Sequence, residues 1–394
     1  MIYLLIFLLL VYGCFQYDYK QVDPNTQPYK RLEWMAFILL VLVPGLSYRI
    51  GVDTPSYMMH YEYAPTLGQL TLNYLNTEGH EPIWLIFQSA CKTISSEYAF
   101  MHTIHSLFLH TALFYMIHQF TKKHFAVLLF YFVVSWGHCN FEALRESIAV
   151  AFYFVAITQM IKRDSLNAFL LWSIPALFAH NFSFVVVAVT AAVYLYRRNR
   201  VLSIGIIAAT TGMIIYRLDD LILMMADNEN VQSKMLYYME SNTEGDTVLN
   251  IIGTLSYIVQ LVIPPVALLF LDAKAKVIPS NYKLILVTAI IFGAIASFFS
   301  DFRRLYYYVF PFVMICFKLY FGHHSDVIKY GLNKMVHRGL MVVMVFIIYQ
   351  SVVSFYRPSV VETRSNIKYN AFYFPYHSVF TEEKDADREY LMRY

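Results

Sequence analysis

Arginine at the edge of an apolar helix is costly, and the chemistry open to it there is narrow. In the stretch 140–156, NFEALRESIAVAFYFVA, Glu142, Arg145 and Glu146 crowd the start of what becomes an uninterrupted apolar run. An arginine at the centre of a bilayer helix costs about 2.5–3.5 kcal/mol on insertion scales, so one held at the mouth of a span usually faces a wet cavity or an anion. A second charged step, Asp301-Phe302-Arg303-Arg304, divides two further apolar runs. The planar guanidinium fork meets phosphate oxygens two at a time, which lysine cannot do. Singly, each arginine also fits a snorkelling or ion-paired interface residue. Arg145 and Arg304, with Arg303 as a third, together suit a shared anion site.

Other residues could add acid–base chemistry. Tyr48-Arg49-Ile50-Gly51-Val52-Asp53 opens a polar loop and is followed by Tyr57 and Tyr61. Glycine at 51 permits a sharp turn, which could aim Arg49 and Asp53 back at the membrane surface; an ordinary turn with a solvated aspartate reads the same residues equally well. Glu81-Pro82 suits a helix start through the fixed proline dihedral and the helix dipole, or an acid that binds an acceptor hydroxyl. His180 lies between two apolar runs with almost no loop, which sets its ring at or below the headgroup level. His102, His105 and His110 share one span and read as packing, and the remaining histidines, including His323 and His324, show no metal spacing. Asp385-Ala386-Asp387 formally matches a DxD signature but stands in a charged tail. Walker, GxGxxG, GxSxG and HExxH motifs are absent. The residue types at hand require no divalent metal and no cofactor.

The elements that must carry these residues are membrane helices. The chain of 394 residues is 58% hydrophobic and 14% charged, with a mean hydropathy of +0.48, whereas soluble domains are roughly 25% charged. Apolar runs at about 1–16, 33–47, 99–118, 124–137, 143–161, 166–180, 181–196, 201–218, 250–271, 282–299, 304–321 and 339–355 predict an all-α, polytopic integral membrane protein with about 12 transmembrane helices. The run 82–97, interrupted by Gln88, Ser89 and Lys92, is expected to be re-entrant or interfacial. The net charge of +3 gives no reason to expect a nucleic-acid partner. Cys14, Cys91, Cys139 and Cys316 stand singly and read as small core residues. The first run lacks a basic leader and a cleavage site and is expected to be a retained span.

Orientation follows from Lys/Arg bias. Lys20, Lys30, Arg31, Lys122, Lys123, Lys162, Arg163, Arg197, Arg198, Arg200, Lys274, Lys276, Lys329, Lys334 and Arg338 are expected on the cytoplasmic face, which holds only if 82–97 does not cross. The body then spans 1–356, with external loops 48–81 and 219–249, and 357–394 forms an exoplasmic tail. Within 219–249, Val231, Met235, Tyr238 and Met239 fall on one helical stripe. Tyr369, Phe372, Tyr373, Phe374, Tyr376 and Tyr390 give the tail an aromatic surface suited to headgroups or sugar rings.

The order of these motifs resembles the EpsG family, itself similar to the Wzy-type O-antigen and capsule polymerases. Arg49-x-Gly51-x-Asp53 with Tyr57, Glu81-Pro82, Arg145 with Ala149, His180, and Arg304-Leu305 with Tyr308 carry the resemblance over about residues 48–310. Two positions depart: Glu146 stands where the family favours glutamine, and Phe182 where it favours a small hydroxyl residue, with Ser183 one step later. The resemblance implies a GT-C-like helical bundle in the bacterial cytoplasmic membrane. It also implies an enzyme that joins undecaprenyl-pyrophosphate-linked repeat units into exopolysaccharide, capsule or O-antigen at the outer leaflet, beside a flippase and a chain-length regulator. On that reading Asp53, Arg145, Arg304 and His180 are catalytic, and Arg49, Tyr57, Glu81, Glu142, Arg303 and Tyr308 bind substrate. A lipid-linked oligosaccharide flippase and a non-catalytic scaffold stay open as alternatives.

Overall fold

The computed structural model describes residues 2–51, 53–77, 79–215, 253–298, 300–322, 331–356, 373 and 376–381. Among these residues the elements are helices, and the β pairing is an isolated antiparallel bridge between Ser47 and Ser378. Helix α1 (Ile2–Gly13) continues as a π turn, and α2 (Gln27–Gly45) returns beside it. Short helices α3 (Thr54–Tyr63), α4 (Leu72–Thr77) and α5 (Pro82–Ile94) precede α6 (Tyr98–Phe120). The chain continues through α7 (Phe125–Tyr131), α8 (Leu144–Arg163), α9 (Leu166–Ala179), α10 (Ser183–Leu195) and α11 (Arg200–Ile215). The later helices are α12 (Ile263–Ala275), α13 (Ser280–Phe298), α14 (Leu305–Gly322) and α15 (Gly331–Tyr356).

Five stretches are long and apolar enough to cross a membrane: Ile2–Tyr19, Leu144–Arg163, Gly253–Ala273, Ser280–Ser297 and Lys334–Val353. The protein therefore has the character of a multi-pass membrane protein. By that measure the described residues supply fewer spans than the twelve expected from sequence. Phe125–Trp136, Leu166–Ala179, Ser183–Leu195 and Arg200–Thr210 are apolar but shorter, while α2 is diluted by Lys30, Arg31 and Glu33, and α6 by four histidines. Helix α8 is the central post. Of its apolar window 78% is buried, against 18–50% in the other four, and it packs on α6 and α9.

Charge sorts the bundle into two ends. At one, the Tyr29 hydroxyl donates to the Lys122 carbonyl (3.3 Å), Lys162 to Gln119 (2.5 Å), Asn281 to the Ile161 carbonyl (3.2 Å), and Arg197 to the Ser280 carbonyl. Basic residues expected on the cytoplasmic face thus meet there. At the other end gather Asp53, Glu81, Glu142, Arg145 and Arg304. Helix α5 begins and finishes at this second end. Glu81, at its start, pairs with Arg145, while Ser95, just past its last turn, accepts from the Tyr61 hydroxyl at 2.7 Å and Thr93 accepts from the Leu67 N–H at 2.9 Å. Its 13 residues rise only ~20 Å, short of the ~30 Å hydrocarbon core. It buries Trp84, Leu85, Gln88, Ser89 and Cys91 and leaves Ile86 and Ile94 exposed, the pattern of a segment lying across one end of a bundle.

The C-terminal tail returns to the same end. The Tyr48 N–H donates to the His377 carbonyl (2.9 Å), the Val379 N–H to the Leu46 carbonyl (3.0 Å), and the Tyr376 hydroxyl to the Val43 carbonyl (2.8 Å). The stripe in 219–249, His323, His324, Asp385 and Asp387, and the tail aromatics Tyr369, Phe372, Phe374 and Tyr390 lie outside the described residues. All four cysteines are free.

Candidate functional site

The site is built on an irregularity between α7 and α8. Two π turns, Phe132–Trp136 and His138–Glu142, run into Ala143, whose φ of −117° and ψ of 55° break the helix just before α8 restarts. Such a break leaves carbonyls without helical partners. Buried histidines of α6 satisfy them: His102 Nε2 donates to the Asn140 carbonyl (2.6 Å), and His105 Nε2 reaches the Leu144 carbonyl (3.0 Å) and the Ser147 hydroxyl (2.7 Å). The packing histidines read from sequence therefore also fix where Arg145 starts.

Arg145 Nη1 pairs with Glu81 Oε2 at 3.0 Å and lies 3.1 Å from His80 Nδ1. Because Glu81 caps the start of α5, this pair ties α5 to α8. Arg304 ends a 3-10 turn, Ser300–Arg304, that feeds α14. Its Nη1 lies 3.7 Å from Glu146 Oε2, too far for a hydrogen bond, and its guanidinium sits over the Phe182 ring at 5.0 Å. Glu146 is buried, and among the described residues neither carboxylate oxygen has a hydrogen-bond partner. The two arginines therefore reach one end of the bundle from helices distant in sequence, with Glu146 following one and facing the other.

Around them stand the other candidate residues. His180 caps the end of α9; its Nδ1 accepts the Phe182 N–H at 3.3 Å, and its ring stacks on Phe182 at 5.6 Å. Burial, reinforced by the positive charges of Arg145 and Arg304, pushes its pKa down to about 3, so it is a neutral imidazole with Nε2 protonated. Asp53 is the N-cap of α3, but its side chain makes no capping hydrogen bond. Lost hydration raises its carboxyl pKa above the usual value, and Arg145 and Arg304 pull the other way. Its own N–H donates to Glu142 Oε2 at 3.1 Å, and the Tyr57 hydroxyl donates to the Glu142 carbonyl at 3.2 Å. Burial pushes that hydroxyl's pKa up to about 12.

The turn that carries Asp53 is specified by its glycine. Gly51 has φ +100°, and a Cβ there would stand 2.8 Å from Phe141 Cβ and 2.9 Å from its carbonyl. Arg49 also occupies the left-handed region, at φ +54°, and lies over the Tyr48 ring at 5.0 Å. Thr54 locks the turn by donating from its hydroxyl to the Phe141 carbonyl at 3.1 Å.

Two expected binding residues are placed differently from the rest. Arg303 lies over Tyr257 at 3.6 Å and has no ion pair among the described residues, and its buried Nε lacks a partner. Tyr308 is buried edge-on against Tyr153, with its hydroxyl unpartnered. Sequence reading assigned three further residues no role: Glu146, noted as a charge beside Arg145 and as a departure from the family's glutamine, and His80 and His138, which it did not single out. His138 lies within the polar step and 4.6 Å from Tyr307; burial and the charge of Arg304 hold its pKa near 3.

The sequence profile of the EpsG family matches residues 31–378. No curated protein and no solved structure matches the chain.

Proposed function

We propose, from the premise that the chain belongs to the EpsG family, that it is a polysaccharide polymerase acting on lipid-linked glycans at the outer face of the bacterial cytoplasmic membrane. Family and helices together make it an exopolysaccharide-related membrane protein. The finer reading is a nucleotide-sugar-independent glycosyltransferase of about twelve spans and GT-C-like architecture, with its body over 1–356 and an exoplasmic tail over 357–394. Its donor is an undecaprenyl-pyrophosphate-linked glycan, and a flippase and a chain-length regulator serve the same pathway.

One observation carries the reading: Arg145 and Arg304, from separate helices, share an end of the bundle with a carboxyl that is not spent on capping. A hydroxyl of the incoming lipid-linked unit attacks the anomeric carbon of the growing chain. The new C–O bond forms as the bond to pyrophosphate breaks, the leaving diphosphate keeps the electron pair, and the hydroxyl proton passes to Asp53. Guanidinium groups preorganised in a poorly hydrated site stabilise charge developing on that diphosphate. Glu81 holds Arg145 in place beforehand, and Glu146 faces Arg304 without hydrogen-bonding it. Each arginine has five donors, so a carboxylate partner does not exhaust it. His180, neutral with Nε2–H, can donate to a sugar or phosphate oxygen, while Tyr57 and Glu142 shape the acceptor side. Arg49 and Arg303 are further binding residues on this reading, and Tyr308, buried against Tyr153, would bind only through its unpartnered hydroxyl.

The test is polymer formation in cells. Arg145→Ala and Arg304→Ala, expressed at normal levels, are expected to cut chain extension about 100- to 1000-fold, the usual loss for one preorganised donor, and to leave single repeat units displayed outside. Unchanged polymer length would reduce the protein to a scaffold, and repeat units accumulating inside would make it a flippase.

A further inference from the structure

A second cluster of ionisable side chains lies at the opposite, basic end of the bundle. Glu33 belongs to α2, His118 to the last turn of α6, and His124 to the turn that opens α7. One donor atom from each lies within 4.8 Å of the others. His118 Nε2 is 3.2 Å from Glu33 Oε1, His124 Nδ1 touches the same oxygen, and the two rings are 4.2 Å apart.

The hydrogen bonds of the far ring atoms fix the tautomers. His118 Nδ1 lies 2.7 Å from the Phe114 carbonyl, and His124 Nε2 lies 2.9 Å from the Thr121 carbonyl. A carbonyl only accepts, so both of these nitrogens carry hydrogen. In the neutral rings the remaining nitrogens, His118 Nε2 and His124 Nδ1, are then lone-pair donors, and both face one carboxylate oxygen. Three electron pairs therefore converge, a conflict that either a cation or protonation of the rings relieves; protonated, both rings would donate to Glu33, two imidazolium ions sharing one carboxylate.

A metal ion resolves the conflict, because a ring N–H tied to a backbone carbonyl is the usual outer support of a metal-bound histidine. Ligands about 2.0–2.2 Å from a tetrahedral zinc ion stand roughly 3.3 Å apart, which agrees with the 3.2 Å between His118 and Glu33, whereas the closer His124–Glu33 contact must open by about an ångström to admit the ion. We propose that Glu33, His118 and His124 form a site for a divalent first-row transition ion, with zinc as its natural occupant and water as the fourth ligand. Two imidazoles and a carboxylate suit zinc better than magnesium or calcium. His118 is 44% exposed, Glu33 13% and His124 6%, so the ion enters past His118. Bound there, it clips the turn between α6 and α7 to α2. The run of α6 from His105, which holds the start of α8, to His118 separates it from the arginine site by about 20 Å, so it takes no part in glycosyl transfer.

The test uses the full chain in detergent, stripped with EDTA. Titration with Co²⁺ is expected to give the visible ligand-field bands of a tetrahedral site without a thiolate charge-transfer band, which separates these ligands from the four cysteines. Zinc should displace one equivalent of cobalt and raise the Tm. Glu33→Gln and His118→Asn should each weaken binding by at least the roughly 10- to 100-fold that loss of an outer support costs. His118 lies at the surface, so that variant keeps the experiment decisive if Glu33→Gln fails to fold. Absence of saturable cobalt or zinc binding, a thiolate band, or full affinity in His118→Asn would overturn the site.

Discussion

Asp53 and His180 are both displaced from their ordinary acidities by the same surroundings, in directions that separate their roles. A base must be ionised to act, and partial loss of hydration raises the Asp53 pKa above 3.8 against the pull of Arg145 and Arg304, although the residue stays exposed. The acid limb of the rate should therefore lie at higher pH than for a solvated aspartate, with activity rising as pH increases through it. Asp53→Asn should abolish chain extension by membranes supplied with extracted lipid-linked units, and a wild-type profile that is flat across the acid range would remove Asp53 as the base. His180 works through stability. Its folded pKa of about 3 lies below the ordinary histidine value of 6.5, so between these values the unfolded chain takes up a proton that the folded one refuses. Its contribution is fully present above 6.5 and declines toward 3. Thermal unfolding in detergent should show a smaller loss of Tm from about pH 7 to about pH 5 in His180→Gln than in the wild type.

At the scale of elements, the site depends on two local departures from regular structure. The first is the turn 48–53, where the left-handed Gly51 lies against Phe141. Gly51→Ala should destabilise by roughly 1–3 kcal/mol, the typical cost of a residue held in a sparsely populated backbone region. Displacing Asp53, it should lower activity more than a surface substitution of equal stability cost; melting curves and polymer assays on the same preparations compare the two. The second is the break at Ala143, closed by His102 and His105 from α6. Periodicity indicated a helix at 143–161 and one at 99–118, which correspond to α8 and α6. It had no means of indicating that the histidines of one would satisfy the broken start of the other.

Across the whole molecule, the informative fact is that charge separates into two ends. Cysteines introduced at His60 and Thr121 should label from opposite sides of the membrane in intact cells, since α6 runs between those ends; equal labelling from outside would overturn the orientation. Composition and apolar runs were enough to establish an all-helical membrane protein, because water and lipid sort side chains by transfer free energy whatever their neighbours. The ordered motifs from Arg49 to Tyr308 were enough to indicate the family, since each residue type at a span edge is costly to keep. What one dimension left open was partnership. That Glu81 holds Arg145, that Glu146 faces Arg304, that α5 starts and ends at one end, and that Glu33 meets His118 and His124 are contacts between segments far apart along the chain. Helix packing alone decides them, because ion pairs and metal ligands act over a few ångströms while sequence spacing constrains neighbours only within a turn or two of one helix.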